Sequence, residues 1–307
     1  MGLNHIRVYD ALRDRCALAG IYDADAARAQ SVAQSHSIKA FESMDALLDA
    51  VDAVSIVVPT AYHEPVALAA AQRGVHLLVE KPIADSLEAA QRMALAAEAA
   101  DVVLQVGHVE RFNPVVAMMP DILQGKQLLA MDFRRLSPFD PRVRDVDVVL
   151  DLMIHDIDVM LHLLGGDVTS VQALGSAPRS PGRADYAVAL LQVGGVPVSL
   201  TASRVTEQKV RALSVTTEQA YIEMNYLERR IAMSRVTHSG FSLSAQGSYR
   251  QEGIVEKVLV PNGEPLRLEL EHFLDRVADK QTPLVSAADG IAALRVAERI
   301  RACIYTA

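Results

Sequence analysis

Short apolar runs alternating with Ala-rich helical stretches constrain this chain more than any other feature. The runs are CALAGIY (16–22), AVSIVVP (53–59), HLLVE (76–80) and VVLQVGH (102–108). Between them lie ADAARAQSVAQSH, EPVALAAAQRG and SLEAAQRMALAAEAA. A strand flanked by polar solvent alternates apolar and polar residues. Runs that are apolar on both faces and separated by helices instead predict a parallel sheet covered on both sides, the doubly wound nucleotide-binding pattern.

Beyond about residue 125 the rhythm changes. One strong helix, DLMIHDIDVMLHLLGG (151–166), precedes alternating stretches such as DYAVALLQV, VPVSLTAS and VRALSVTT. Helices near 267–279 and 287–305 close the chain. Alternation with Gly-bearing turns predicts an α+β domain built on a mainly antiparallel sheet. The expected division is 1–122 and 123–307, within reach of a chain of 307 residues.

Composition narrows the function classes. The chain is 50% hydrophobic and 22% charged, and no apolar run approaches the ~18 residues of a membrane span. A net charge of −8 with scattered basic residues disfavours a nucleic-acid surface. Cys16 and Cys303 lack metal spacing and read as reduced thiols. No charged-then-apolar leader precedes the first helix, and MGLNHI lacks the sixth-position Ser or Thr of a myristoylation signal. A cytoplasmic protein is expected.

The opening, MGLNHIRVYDALRDRCALAGIYDAD (1–25), reads as the middle of a dinucleotide-binding unit. Such a unit begins with a buried strand, then G-x-G-x-x-G, then a helix whose N-terminus faces the pyrophosphate; an acidic residue ends the next strand. Gly2 opens a helix and Asp23 follows 21 residues later, the offset expected from the third glycine to the ribose-binding acid. A strand and two glycines are therefore expected upstream of Met1.

Four separated motifs, MGLNHIRVY, PTAYH (59–63), EKP (80–82) and DLMIH (151–155), resemble the Gfo/Idh/MocA family of sugar and polyol dehydrogenases. The resemblance covers nearly the whole chain. It implies a Rossmann-type domain with the first strand missing, followed by a substrate-binding and assembly domain. Met1 and Gly2 would align with the end of the family's glycine loop. The implied cofactor is a nicotinamide dinucleotide, and relatives form dimers or tetramers through the antiparallel sheet.

Oxidising a secondary alcohol needs a hydride acceptor and a group that removes the hydroxyl proton. Lys81, between Glu80 and Pro82 at the carboxyl edge of the parallel sheet, is placed to meet a hydroxyl; a structural ion pair is the competing reading. Asp151 and His155, spaced i, i+4, share a helix face with Asp158 and His162. Four such side chains span about 16 Å, so one ion could reach only two, and a metal site is not expected. The resemblance makes Lys81, Asp151 and His155 the catalytic residues: His155 as proton acceptor, Asp151 as its orienting partner, Lys81 as the polarising group. Whether Lys81 or His155 takes the proton stays open.

Asp23 favours NAD over NADP by repelling a 2′-phosphate, although Arg28 nearby could accommodate one. Pro59, Thr60 and His63 would border the nicotinamide half by resemblance, with Glu80 beside Lys81; Thr60 could equally cap a helix. For substrate, GHVERFNP (107–114) and RRLSPFDPRVRDVDVVLDLMIHD (134–156) resemble a subgroup that oxidises C3 of UDP-N-acetylglucosamine. Arg135, Arg142 and Arg144 precede the reaction helix, where guanidinium groups suit a diphosphate as well as a loop surface. Arg111 and Asn113 are the better-placed substrate candidates, with Arg142 beside them. The alternatives are dehydrogenation of a free polyol such as inositol, and a non-catalytic dinucleotide-binding regulator.

Overall fold

The computed structural model describes residues 1–140, 146–237 and 252–306. By contacts the chain divides into two compact units, Met1–Phe112 with Gly263–Leu294, and Asn113–Asn262 with Arg295–Ala307.

The first unit holds α1 (Gly2–Asp10), β1 (Gly20–Ile21), α2 (Ala26–His36), β2 (Lys39–Ala40), α3 (Met44–Leu48), β3 (Ala53–Ile56), α4 (His63–Ala71), β4 (His76–Glu80), α5 (Leu87–Ala99) and β5 (Leu104–Gly107). The strands form two parallel ladders, β1–β2 and β3–β4–β5, and no ladder joins them among the described residues. The central strand β4 matches its predicted run because it is paired on both sides, and Leu77, Leu78 and Val79 are fully buried. The run at 16–22, by contrast, shortens to Gly20–Ile21. Its ladder partner, β2, is only Lys39–Ala40, and residues 16–19 join no ladder among the described residues.

The parallel ladder β3–β4–β5 is connected through α4 and α5, which pack on each other, and alanines 67, 70, 71, 89, 90 and 97 are buried and let the helices lie close. Val8 of α1, Leu12 just past it, and Leu266, Leu270 and Phe273 of α9 (Pro265–Asp279) pack in one core cluster with Leu78 of β4 and Val103. The late helix thus contributes to the first unit's core.

The second unit holds α6 (Pro114–Ala117), α7 (Met119–Leu123), β6 (Leu128–Leu136), α8 (Ile154–Leu164), β7 (Val168–Ser176), β8 (Tyr186–Val193), β9 (Val196–Ser203), β10 (Val210–Thr217), β11 (Tyr221–Asn225), β12 (Arg230–Thr237) and β13 (Glu252–Val258). One sheet runs β13-β12-β11-β10-β6-β9-β8-β7, antiparallel except for the parallel β6–β9 pair. The β8–β9 turn is Gly194-Gly195, both at positive φ (55° and 85°), the two-residue hairpin geometry that only glycine adopts readily. Along β8, Ala187, Ala189, Leu191 and Val193 are buried while Tyr186 and Leu190 are exposed, so one face packs and the other is open. The closing helix α10 (Ala287–Tyr305) completes the chain.

Candidate active site

In the first unit, Asp23, Pro59 and Glu80, expected to bind cofactor, lie at or just past the ends of β1, β3 and β4. Met1 and Gly2 form the N-terminus of α1, and a Cβ added at Gly2 would meet nothing within 4 Å. Asp23 lies just past β1, where its Oδ1 accepts the Asp25 amide at 2.9 Å. Arg28 is exposed and stands 3.8 Å from Asp23 and 3.7 Å from Asp25.

Beyond β3, Pro59 leads into a 3₁₀ turn, Thr60–Tyr62. No side-chain cap hydrogen bond is made there or at the start of α4, so Thr60 is not the cap that its position suggested. His63 is 1% exposed. Its Nδ1 meets the carbonyls of Pro82 (3.0 Å) and Ile83 (3.2 Å), and its Nε2 lies 3.0 Å from the Val58 carbonyl.

Glu80 ends β4 and Lys81 follows it, half-buried. The Glu80 Oε1 lies 2.9 Å from His5 Nε2, and Oε2 accepts the Lys81 amide at 3.2 Å. Burial pushes the Glu80 carboxyl up, but the His5 hydrogen bond and the nearby His5 and Lys81 outweigh it and leave the group below its ordinary value. Gly107, paired with Glu80 across β4–β5, makes this possible: a Cβ there would stand 3.1 Å from Glu80 Cα and 3.2 Å from its Cδ. The glycine inside VVLQVGH was the available signal of such an approach. His5, buried on α1, carried none.

Arg111 is 4% exposed and its Nη2 donates to Asp289 Oδ1 at 3.2 Å. Burial pushes the Asp289 carboxyl up; hydrogen bonds from the Ser286 hydroxyl and amide, with Arg111 beside it, override this and hold it low.

In the second unit, Asp151 does not lie in a plain α-helix. Residues Val149–Met153 form a π-helical turn that runs into α8, so the i, i+4 relation to His155 crosses a junction of two windings. Asp147, 2% exposed, anchors that turn. Its Oδ1 accepts the amides of Val149 and Leu150, both at 3.1 Å, and its Oδ2 accepts from Arg301 Nε (2.7 Å) and the Tyr305 hydroxyl (2.9 Å). An Asp before an apolar helical run is a capping signal that sequence reading could have used.

Asn113 caps α6, its Oδ1 accepting the Val115 amide. Arg135 is a correction: it lies on β6 and not on a loop, 2% exposed, and both Nε (3.0 Å) and Nη2 (2.7 Å) donate to Asp156 Oδ1. Arg142 and Arg144 lie outside the described residues. Among the described residues no three His, Cys, Asp or Glu side chains are gathered as a metal site, and no helix is long and apolar enough to cross a membrane.

Two family models match the chain. One, described as an oxidoreductase family with an NAD-binding Rossmann fold, spans residues 1–108; the other, the GFO/IDH/MocA C-terminal domain, spans 131–223. A UDP-N-acetylglucosamine 3-dehydrogenase of Acidithiobacillus ferrooxidans is 33% identical over 99% of this chain and 94% of its own length. A solved structure of UDP-N-acetylglucosamine 3-dehydrogenase from that organism superposes with a TM-score of 0.88 at 32% identity, covering 99% of this chain and 94% of the other. A scyllo-inositol 2-dehydrogenase (NAD(+)) of Bacillus subtilis is 28% identical over 88% of this chain and 81% of its own length.

Proposed function

We propose a reaction from the premise that the chain belongs to the Gfo/Idh/MocA family of oxidoreductases: the NAD-dependent oxidation of the C3 hydroxyl of UDP-N-acetylglucosamine to a ketone. The observation that carries it is the 33% identity, along almost the full length of both chains, to a UDP-N-acetylglucosamine 3-dehydrogenase. Inositol dehydrogenases are weaker matches, at 28% for the one from Bacillus subtilis.

Bound NAD would accept the hydride from the sugar carbon. The N-terminus of α1 at Met1 and Gly2 would meet the pyrophosphate, since unpaired amides and the helix dipole favour anions there. Asp23 would accept the ribose hydroxyls, and Pro59, Thr60, His63 and Glu80 would bound the nicotinamide half. Lys81 would donate to the reacting oxygen, His155 would take the hydroxyl proton, and Asp151 would orient and stabilise the imidazolium so formed. Arg111, Asn113 and Arg142 are assigned to the substrate side. Cofactor is assigned to residues 1–122, and substrate and assembly to 123–307.

The chain is read as a cytoplasmic homodimer or homotetramer. Support for assembly comes from the open sheet face. Leu190 and Tyr221 are exposed there, and a shallow recess of about 570 Å³ is lined by Met131, Asp132, Leu190, Ser199 and Tyr221 among others.

The test is nicotinamide absorbance during incubation with NAD and UDP-N-acetylglucosamine, with inositol in parallel. NADH produced only from the nucleotide sugar supports the reading. NADH from inositol alone replaces it with a polyol dehydrogenase, and tight NADH binding without turnover of either substrate replaces it with a regulator.

A further inference from the structure

We propose that His5 and His63 are positioning residues that clamp the Lys81 turn from both sides, one through the residue before the lysine and one through the residues after it. This rests on Lys81 being the group that meets the substrate hydroxyl.

Upstream of Lys81, Glu80 is 7% exposed, and a buried carboxylate is stable only if partnered. His5 supplies that partner from α1, 2.9 Å from Oε1, while Oε2 receives the Lys81 amide. The Glu80 side chain therefore spans from α1 to the backbone of Lys81 itself. It packs directly on Gly107 of β5, where an added Cβ would stand 3.1 Å from Glu80 Cα and 3.2 Å from its Cδ and Oε2. Downstream, His63 Nδ1 holds the carbonyls of Pro82 and Ile83 while its other nitrogen faces Val58, just past β3. With both ring nitrogens directed at backbone carbonyls, His63 acts on the Lys81 turn.

Each histidine also belongs to a segment read as contacting the dinucleotide: His5 follows Gly2 by one helical turn, and His63 follows Thr60. Seating of the cofactor and placement of the lysine are thereby tied to the same two side chains. A long, flexible lysine gains most from such a hold, since a displacement of about 1 Å can cost on the order of 10²-fold in rate.

The experiment compares the full chain with His5→Leu and His63→Leu, and with His5→Gln and His63→Gln, which keep an amide donor. The first readout needs no substrate: pyridoxal phosphate with borohydride, then peptide mass spectrometry of Lys81 against the exposed Lys39, Lys257 and Lys280. The second is kcat and KM for UDP-N-acetylglucosamine with NAD, alongside the Kd for NADH. In the Leu variants, Lys81 labelling is expected to rise at least about threefold and kcat to fall about 10- to 100-fold, with KM for the sugar within about threefold; a rise in the Kd for NADH would report the same side chains' hold on the dinucleotide segments. The Gln variants should recover most of kcat. Folded Leu variants with parental labelling and kcat overturn the clamp. Should circular dichroism show that they do not fold, Gly107→Ala decides: it pushes on Glu80 from β5, so raised Lys81 labelling supports the clamp and unchanged labelling overturns it. If the parent does not oxidise UDP-N-acetylglucosamine, the proposed reaction fails while the labelling still tests the clamp.

Discussion

The guanidinium of Arg135 donates twice, through Nε and Nη2, to a single oxygen of Asp156, and both side chains are almost fully buried in the second unit. Asp156 directly follows His155, so this pair ties the start of α8 to β6 at the residue beside the assigned proton acceptor. Removing one side chain takes this ion pair from a buried charge. Arg135→Met is expected to lower unfolding free energy by about 3–5 kcal/mol, and the double variant Arg135→Met/Asp156→Leu to recover much of that loss. Urea titrations of the single and double variants check it; additive losses would show that the two charges do not depend on each other.

Lys81→Ala and His155→Ala should each reduce kcat by about 10²- to 10⁴-fold while leaving NADH affinity largely intact, since each is assigned a proton or a hydrogen bond at the reacting oxygen. Steady-state rates with calorimetric NADH titrations make the comparison. Loss of the folded circular dichroism spectrum in either variant would make that residue structural.

Asp23→Ala should weaken NAD binding about 10- to 100-fold, the scale of charge-assisted hydrogen bonds to two ribose hydroxyls, and narrow the preference over NADP. Equal affinities of parent and variant for both cofactors would remove Asp23 from the ribose site.

Stability should fall as pH drops from about 7 toward 5. His76 and His272 have pKa values below the ordinary histidine value, burial being the first cause in each, with Lys280 near His76 and Arg276 near His272 acting in the same direction. Each ring accepts a backbone amide at 2.9 Å, His76 Nδ1 from Val103 and His272 Nε2 from Leu284. With folded values below the unfolded value of about 6.5, the unfolded chain binds more protons as pH falls through that range, so the stability these groups contribute is present above it and lost below. Thermal melts of the parent and of His272→Gln across this range check the sign: the variant's melting temperature should vary less with pH.

Strand β4 was legible to the residue, because a run buried on both faces has one solution in a sheet. The run at 16–22 was legible as a strand but not in length, since ladder length depends on partners elsewhere in the chain. Lys81 could be placed at the carboxyl edge from HLLVEKP alone. That His5 holds Glu80, and hence the turn carrying Lys81, could not, because 75 residues separate the pair. Arg135 was read as an arginine before the reaction helix, yet its burial on Asp156 arises from β6 lying in a sheet whose strand order no local pattern discloses.

What the sequence determined by itself was the set of local choices: periodicities of 2 and 3.6, strands apolar on both faces, the Gly194-Gly195 turn, and the motifs that carry the family. Those are short-range consequences of side-chain shape and backbone freedom. The tertiary structure alone decided which polar groups meet in the dark: His5 with Glu80, His63 with the carbonyls past Lys81, Asp147 with Arg301 and Tyr305, and the π-turn under Asp151. The physical reason is that a buried polar group must find a partner wherever packing brings one, and packing is settled by the whole chain at once.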